Sequence, residues 1–152
     1  MRIEHEGVIK APIERVWELT IGIESWPGVT PTTITSVQRL DDGPLQPGSQ
    51  ARLKQPGQRA TIWTVTVLEP PHTFAWQAHT LGVTMTATHT LASDSPGVTT
   101  NRLAIDIHGP LALVLGSVIR RKIRQVLATE NESFKATAES PTTARRAGRT
   151  GA

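Results

Sequence analysis

The last long apolar-periodic segment of the chain, Gly109 to Glu139, constrains the fold most. Its apolar residues recur at spacings of three and four, which is typical of a helix with one apolar side. These residues are Leu111, Leu115, Val118, Ile119, Ile123, Val126, Leu127 and Phe134. Gly109-Pro110 predicts the start, because proline at the first helical position costs no hydrogen bond. Such a helix has roughly 29 residues and a length of about 40 Å, so we expect a sheet to wrap it and any site to lie between helix and sheet.

The part of the chain before this segment predicts one strand, two short helices and about six further strands. Residues 2–10 favour a strand, and Ala11–Leu19 favour a helix with Ile13, Val16, Trp17 and Thr20 on one face. A second short helix or turn is expected near Ser25–Gly28. Further strands are expected at residues 34–40, 49–55, 60–68, 72–79, 83–92 and 98–108. Consecutive hairpins predict an antiparallel sheet and the α+β class.

Alternation along the strands indicates which side chains face the long helix, because a sheet covered on one face alternates apolar and polar residues. In Val83–Leu91 four threonines share one parity, so the other parity, which includes Met85 and His89, should face inward. The same count places further residues inward: Phe74, Trp76, Leu103, Ile105 and Ile107, with Trp63, Val65 and Val67. Ile62 and Leu68 have the opposite parity and leave the inner face of that strand ambiguous.

Charge and composition narrow the classes of partner. The net charge is +3, and Arg145, Arg146 and Arg149 account for it, because residues 140–152 contain no acidic residue. The remaining chain is neutral, which argues against nucleic acid as a partner. We expect a single ligand-binding domain over residues 1–139 and a disordered basic tail over residues 140–152. The oligomeric state stays open between monomer and homodimer.

The location is expected to be the cytoplasm. The chain contains no cysteine, which excludes disulfides, thiolate catalysis and Cys-ligated metals. The first residues lack the apolar core of a signal peptide, and no apolar run approaches the roughly 18 residues of a membrane span. We therefore expect no membrane span.

A set of short motifs occurs in a recognisable order. Ala11–Trp17 has the pattern small residue-Pro-x-Glu-x-Val-Trp at the first strand-to-helix junction. The later motifs are Ser25-Trp26-Pro27, Thr30-Pro31, Ile34–Val37, Leu45-Gln46-Pro47-Gly48, Trp63-Thr64-Val65 and His89-Thr90-Leu91, followed by the terminal helix. This order resembles the START-like, polyketide cyclase/dehydrase (SRPBCC) superfamily over residues 3–139. The resemblance implies a helix-grip fold, in which a curved antiparallel sheet of about six to seven strands wraps a long C-terminal helix and two short helices follow the first strand. It also implies a cavity for apolar small molecules.

The histidines do not predict a metal site, and no cofactor is expected. None of His5, His72, His79, His89 and His108 forms a pair with the spacing of metal ligands. His89 is the candidate catalytic residue, as a general acid/base or a hydrogen-bond donor to a ligand carbonyl. The alternative is a core histidine bonded to neighbouring backbone.

The candidate ligand-binding residues are those expected on the inner sheet face, on the long helix and near the cavity opening. They are Trp26, Trp63, Phe74, Trp76, Met85, His89, Leu103, Ile105, Leu115 and Ile119. Tryptophans suit such a site because they offer a large apolar face and one polar NH group. The alternative is that these side chains fill the core.

The cations outside the tail have two interpretations. Arg52 and Arg59 are candidates for binding a carboxylate at the cavity rim, although strand parity puts Arg52 on the solvent face with Lys54. The run Arg120–Arg124 either binds an anionic lipid or phosphate, or is the exposed face of an amphipathic helix between the inward residues Ile119 and Ile123. In each case the solvated charge is favoured.

Three functions are compatible with these observations. The first is binding of an apolar or aromatic small molecule, such as a lipid or polyketide, between helix and sheet. The second is a polyketide cyclase or aromatase that uses His89 as acid/base. The chain has no tyrosine, and the parity count places no carboxylate pair inward. The third and weaker possibility is a protein-interaction module related to quinone-binding members of the family.

Overall fold

The computed structural model describes residues 1–114 and 116–141, so most of the expected tail, residues 140–152, and the candidate Leu115 lie outside the described residues. The elements are β1 (Arg2–Ile9), α1 (Ile13–Ile21), α2 (Trp26–Val29), β2 (Ser36–Arg39), β3 (Gln50–Lys54), β4 (Thr61–Glu69), β5 (Thr73–Thr80), β6 (Val83–Ser95), β7 (Val98–His108) and α3 (Ser117–Glu139). Short 3-10 turns, Ile23–Ser25 and Pro110–Leu113, precede α2 and α3. The predicted α+β helix-grip order is confirmed.

The strands form one curved antiparallel sheet in the order β1-β7-β6-β5-β4-β3-β2. The five strands from β3 to β7 pair with their neighbours in the chain, as expected of consecutive hairpins. Strand β1 forms one edge of the sheet and pairs with β7 over its whole length, from Arg2 opposite Asp106 to Ile9 opposite Thr99. The first and last strands are therefore neighbours beneath α3.

A bulge in β4 explains why its inner face was ambiguous in the sequence. Val65 lies opposite Trp76, but Val67 lies opposite Ala75 and Leu68 opposite Phe74. The extra residue reverses the parity, since two residues of β4 oppose one of β5. Leu68 therefore packs against the core, and the inward placement expected for Val67 is wrong.

Helix α1 covers one end of the sheet through its apolar face. Ile13, Val16, Trp17 and Thr20 are its buried residues, as the sequence pattern predicts. The hydroxyl of Thr20 donates to the carbonyl of Val16 at 2.8 Å, which satisfies this buried polar group inside the helix.

Helix α3 begins later than the apolar pattern predicts. Gly109 has a positive φ of 122°, and its α-carbon packs directly against the carbonyl of Gly82, where a side chain would not fit. A 3-10 turn follows, and Gly116 has extended backbone at the N-cap of α3. Glycine is unfavourable in the interior of a helix, so residues 109–116 do not form α-helix despite their apolar spacing.

The C-terminal half of α3 is fastened to β1 and β7. The Asn131 amide donates to the His5 carbonyl at 3.1 Å and accepts from the Asn101 amide at 2.9 Å. Helix and strand approach closely because Gly7 has no side chain, and a β-carbon there would lie 3.2 Å from Asn131 Cγ. At the helix end, Arg15 donates to the carbonyls of Thr137 and Ala138.

None of the helices among the described residues is both long and apolar enough to cross a membrane. Helix α3 fails this condition because its apolar residues occupy one side and its charged residues the other.

Candidate functional site

A cavity of about 380 Å³ lies between α3 and the inner face of the sheet. Its walls come from α2, from β3 to β7 and from the side of α3 that faces the sheet. Among the lining residues are Trp26, Ile34, Leu53, Trp63, Trp76, Met85, Ala87, His89, Ile105, Ile107, Ile119, Ile123, Val126, Leu127 and Glu130. Its volume is within the range of small-molecule sites, which is about 300–1,000 Å³.

Three tryptophans form much of the apolar wall. Trp26 contacts Trp76 edge-on at a centroid distance of 5.2 Å, and Trp63 lies 5.3 Å from Trp76 at a tilt of 32°. The indole N–H of Trp26 donates to the carbonyl of Leu19 at 3.0 Å, which fixes the ring between α1 and the sheet. Rings held in this way offer rigid faces to a flat ligand.

His89 is buried in the middle of this aromatic wall. Its ring lies 5.4 Å from Trp26, 5.6 Å from Phe74 and 6.1 Å from Phe134. Burial lowers the pKa of His89 to about 4, because no water solvates the charged ring. The residue is therefore neutral at pH 7, and its Nδ1 has no hydrogen-bond partner in the described part of the chain.

Glu130 is the functional candidate that the sequence analysis missed. It lies on α3 one to two turns beyond Ile123 and Val126, and its carboxyl group lines the cavity. Burial raises the pKa of Glu130 to about 7, and a hydrogen bond with the Thr33 side chain opposes this shift. The carboxyl group is thus poised to gain or lose a proton near neutral pH.

A pattern in the sequence could have revealed Glu130. The apolar stripe of α3 continues from Leu127 to Phe134, which are seven positions apart, and helical spacing requires an inward position between them. Glu130 and Asn131 occupy that gap. A polar residue inside an apolar stripe faces either a hydrogen-bond partner or a cavity. Here Asn131 forms a hydrogen bond with Asn101, and Glu130 lines the cavity.

The opening of the cavity is polar and basic. Gln58 and Arg59, from the loop before β4, and Lys122, from α3, are exposed and also line the cavity. Arg59 was expected as a solvated charge, and it lies at this rim. Arg52 is on the outer face of the sheet, as strand parity indicates.

The residues predicted to bind ligand divide into three groups. The structure brings together Trp26, Trp63, Trp76, Met85, His89, Ile105 and Ile119 around the cavity. It does not place Phe74 or Leu103 there, and Leu115 is outside the described residues. Phe74 is fully buried behind Trp26, and Leu103 packs with Ile3 and Leu127 in a second apolar cluster. Both face inward, but α3 or α2 fills the space in front of them.

No metal centre is found in residues 1–114 and 116–141. No group of three or more His, Asp or Glu side chains is close enough to hold an ion there. The polar atoms around the cavity come mainly from His89, Glu130 and the residues of the rim. This arrangement suits an organic ligand with a few hydrogen-bonding groups.

The fold and cavity define a class: helix-grip proteins with an apolar cavity between the sheet and the C-terminal helix. The model of the family described as polyketide cyclase / dehydrase and lipid transport matches residues 1–139. The chain belongs to this family.

Solved structures of other proteins show the same fold. Norcoclaurine synthase from Thalictrum flavum, in complex with dopamine and hydroxybenzaldehyde, has a TM-score of 0.72 at 15% identity, over 93% of this chain and 89% of that one. A START superfamily protein from Mycobacterium smegmatis has a TM-score of 0.73 at 16% identity, over 91% and 97%. A major latex-like protein from Panax ginseng has a TM-score of 0.76 at 12% identity, over 92% and 98%. At these identities the likeness shows the fold alone.

A search of curated proteins gave no match to this chain.

Proposed function

We propose that this protein binds an apolar, aromatic small molecule in the cavity between α3 and the sheet. The observation that carries the proposal is a cavity of about 380 Å³ with a wall of three tryptophans and one buried histidine nitrogen that has no described partner. A flat ring would contact Trp26, Trp63 and Trp76, which offer apolar area in fixed orientations. The family and the fold support hydrophobic ligand binding in general.

The polar groups of the cavity restrict the ligand further. His89 is neutral at pH 7 because its pKa is about 4, so one ring nitrogen can donate a hydrogen bond and the other can accept one. Glu130 can accept a hydrogen bond when ionised and donate one when protonated. A ligand with a hydroxyl or carbonyl group on an apolar ring system would satisfy these groups, whereas a pure hydrocarbon would leave them without partners.

A fluorescence titration tests binding, because three of the four tryptophans line the cavity. We expect flat apolar phenols and ketones to quench the emission saturably. Met85→Lys places a charge at the cavity wall and should weaken binding at least tenfold. Thr90→Lys is the matched control on the exposed outer side of the same strand and should bind like the wild type. Equal affinity of Met85→Lys and the wild type for every compound would overturn the proposal.

A second candidate is a cyclase-type enzyme that removes protons next to carbonyl groups. The observation that favours it is Glu130, whose pKa of about 7 suits a general acid/base, whereas the pKa of His89, about 4, makes that residue a weak base. The Glu130 carboxylate would take a proton from a carbon between two carbonyls, which leaves an enolate and a protonated carboxyl group. Neutral His89 would then donate a hydrogen bond to the enolate oxygen.

Proton exchange on a simple diketone tests this candidate. Proton NMR in D₂O follows loss of the methylene signal of 1-phenylbutane-1,3-dione. We expect the wild type to accelerate exchange with an apparent pKa near 7, and Glu130→Gln to lose at least 90% of this acceleration. Exchange that Glu130→Gln still catalyses at the wild-type rate would rule out the candidate and would leave the binding proposal intact.

A further inference from the structure

Large apolar side chains are exposed together at one end of the molecule. Leu81, Leu113, Val114 and Val118 are each between 76% and 92% exposed. Single exposed apolar residues are ordinary on protein surfaces, but a group of large aliphatic residues on neighbouring segments marks an interaction site.

These residues belong to segments that the backbone holds side by side. Gly109 packs against the carbonyl of Gly82, so the β5–β6 turn that contains Leu81 lies beside the start of the segment that leads to α3. The 3-10 turn continues through a hydrogen bond from the Val114 N–H to the Leu111 carbonyl at 3.1 Å. The first turn of α3 then presents Val118 to solvent.

Positive charge lies directly beside this apolar group. Residues 107–129 contain four cations, Arg120, Arg121, Lys122 and Arg124, and no acidic residue. All four cations are exposed. Among the described residues none of these four cations forms an ion pair. The ion pairs found there lie on β1, β2, β7 and the C-terminal end of α3.

We propose that this surface, named here the docking surface, binds a lipid bilayer that contains anionic phospholipids. The docking surface is formed by Leu81, Leu113, Val114, Val118, Arg120, Arg121 and Arg124. Aliphatic side chains beside a cluster of cations have the composition of interfacial membrane-binding segments. The aliphatic side chains enter the interface, and the guanidinium groups lie at the level of the phosphates. Each cation close to an anionic membrane strengthens binding roughly fivefold.

The position of the docking surface relates it to the cavity. Ile119 and Lys122 line the cavity, and they alternate along α3 with the exposed residues Val118 and Arg121. Docking therefore brings the cavity opening close to the bilayer, from which a water-insoluble ligand could pass into the protein. This inference goes beyond ligand binding and does not depend on it.

Co-sedimentation of the full chain with vesicles tests the proposal. The vesicles contain either phosphatidylcholine alone or phosphatidylcholine with phosphatidylserine in a 7:3 ratio. We expect binding to the anionic vesicles at least tenfold stronger than to the neutral ones, and a large loss of binding in 0.5 M salt. Arg120→Glu with Arg121→Glu should weaken binding at least twentyfold, and Leu113→Ser with Val114→Ser at least tenfold.

Matched control variants separate the docking surface from general charge and hydrophobicity. Arg52→Glu with Lys54→Glu makes the same charge change on the outer face of the sheet. Val8→Ser with Ile62→Ser removes exposed aliphatic side chains elsewhere. Both control proteins should bind the anionic vesicles like the wild type, and circular-dichroism melting should show that every variant is folded.

Three outcomes overturn the proposal. One is equal binding of the wild type to neutral and anionic vesicles. Another is an equal loss of binding in the control variants. The third is a wild-type protein that does not bind vesicles but forms a dimer, while the variant with Leu113→Ser and Val114→Ser is a monomer. The surface is then an interface between two copies of the chain. Failure of the ligand proposal is a separate result, since Arg120 and Arg121 do not line the cavity and should not affect the fluorescence titration.

Discussion

The two halves of α3 meet very different environments. All four buried residues of the helix, Leu127, Asn131, Phe134 and Ala138, lie in its C-terminal half. The N-terminal half, residues 117–126, contains exposed cations, exposed Val118 and residues that line the cavity. The comparison shows that one half fixes the helix to the sheet, whereas the other covers the cavity and contacts solvent.

The physical reason for the difference is the distance between helix and sheet. Gly7 allows Asn131 to approach β1 closely, so the C-terminal half packs on the sheet without a gap. The inward side chains of the N-terminal half line the cavity instead of packing on the sheet. Glu130 lies at the boundary, where the packed half ends and the cavity begins.

The largest effect is expected from Phe134→Ala in the packed half. Phe134 is 1% exposed and contacts Trp26 and His89. Removing the ring leaves a hole and should lower the free energy of unfolding by about 3–5 kcal/mol. Urea unfolding measures this. Val118→Ala in the other half is the control and should change stability by less than about 0.5 kcal/mol; similar losses in both variants would remove the contrast between the halves.

A somewhat smaller effect is expected from Asn131→Ala. This substitution leaves the buried Asn101 amide and the His5 carbonyl without their hydrogen-bond partner, which should cost about 2–3 kcal/mol. The double variant with Asn101→Ala should be less destabilised than the sum of the single variants, because both belong to one network. Strict additivity in urea unfolding would show that the two amides act independently.

The boundary residue Glu130 predicts a dependence on pH. Its pKa is about 7 in the folded chain and near the ordinary value of 4.5 in the unfolded chain. Between these values the folded chain binds more protons, so the contribution to stability is complete below about pH 4.5 and is lost as the pH rises through 7. Glu130→Gln should therefore gain about 1–3 kcal/mol relative to the wild type between pH 5 and pH 8.

The comparison of variant with wild type is needed because His89 acts in the opposite direction. Its lowered pKa contributes stability above about pH 6.5 that is lost as the pH falls through 4. Glu132→Gln, at an exposed position of the same helix, is the matched control. A constant difference between Glu130→Gln and the wild type from pH 5 to pH 8 would contradict the assignment.

The smallest effect is expected from Arg15→Ala. Arg15 donates to two carbonyl groups at the C-terminal end of α3, so its loss should destabilise the chain by about 1 kcal/mol. Hydrogen exchange should show faster exchange in the last turns of α3 and no change in its first turns. Arg124→Ala in the exposed half should change neither; a uniform change along the helix would mean that α3 opens as one unit.

Much of the fold could be predicted from the sequence because its periods are unambiguous. The threonines of β6 identify the outer face, which is why His89 and Met85 were correctly expected inside. Two local features could not be read in this way. The bulge in β4 reverses the parity after Val65, and Gly109 and Gly116 interrupt a spacing that otherwise continues the helix.

The site was less predictable because strand parity shows which face of the sheet a side chain is on, but not whether other side chains cover it. Phe74 and Leu103 face inward like Trp76 and Ile105, but packed side chains cover them, whereas Trp76 and Ile105 line the cavity. Glu130 was missed because only apolar residues were counted along α3. The basic run was correctly placed on an exposed face, but its apolar neighbours in Pro110–Leu113 were expected inside a helix.

Native mass spectrometry of the protein purified from the cells that naturally make it tests whether the cavity holds a ligand. We expect a co-purifying apolar molecule at near one-to-one ratio, which organic extraction should identify as an aromatic compound with a hydroxyl or carbonyl group. Ala87→Trp, which fills the cavity from its buried wall, should carry none of it. If the wild-type protein is empty and flat apolar compounds do not change its tryptophan fluorescence, the space beneath the N-terminal half of α3 is not a binding site.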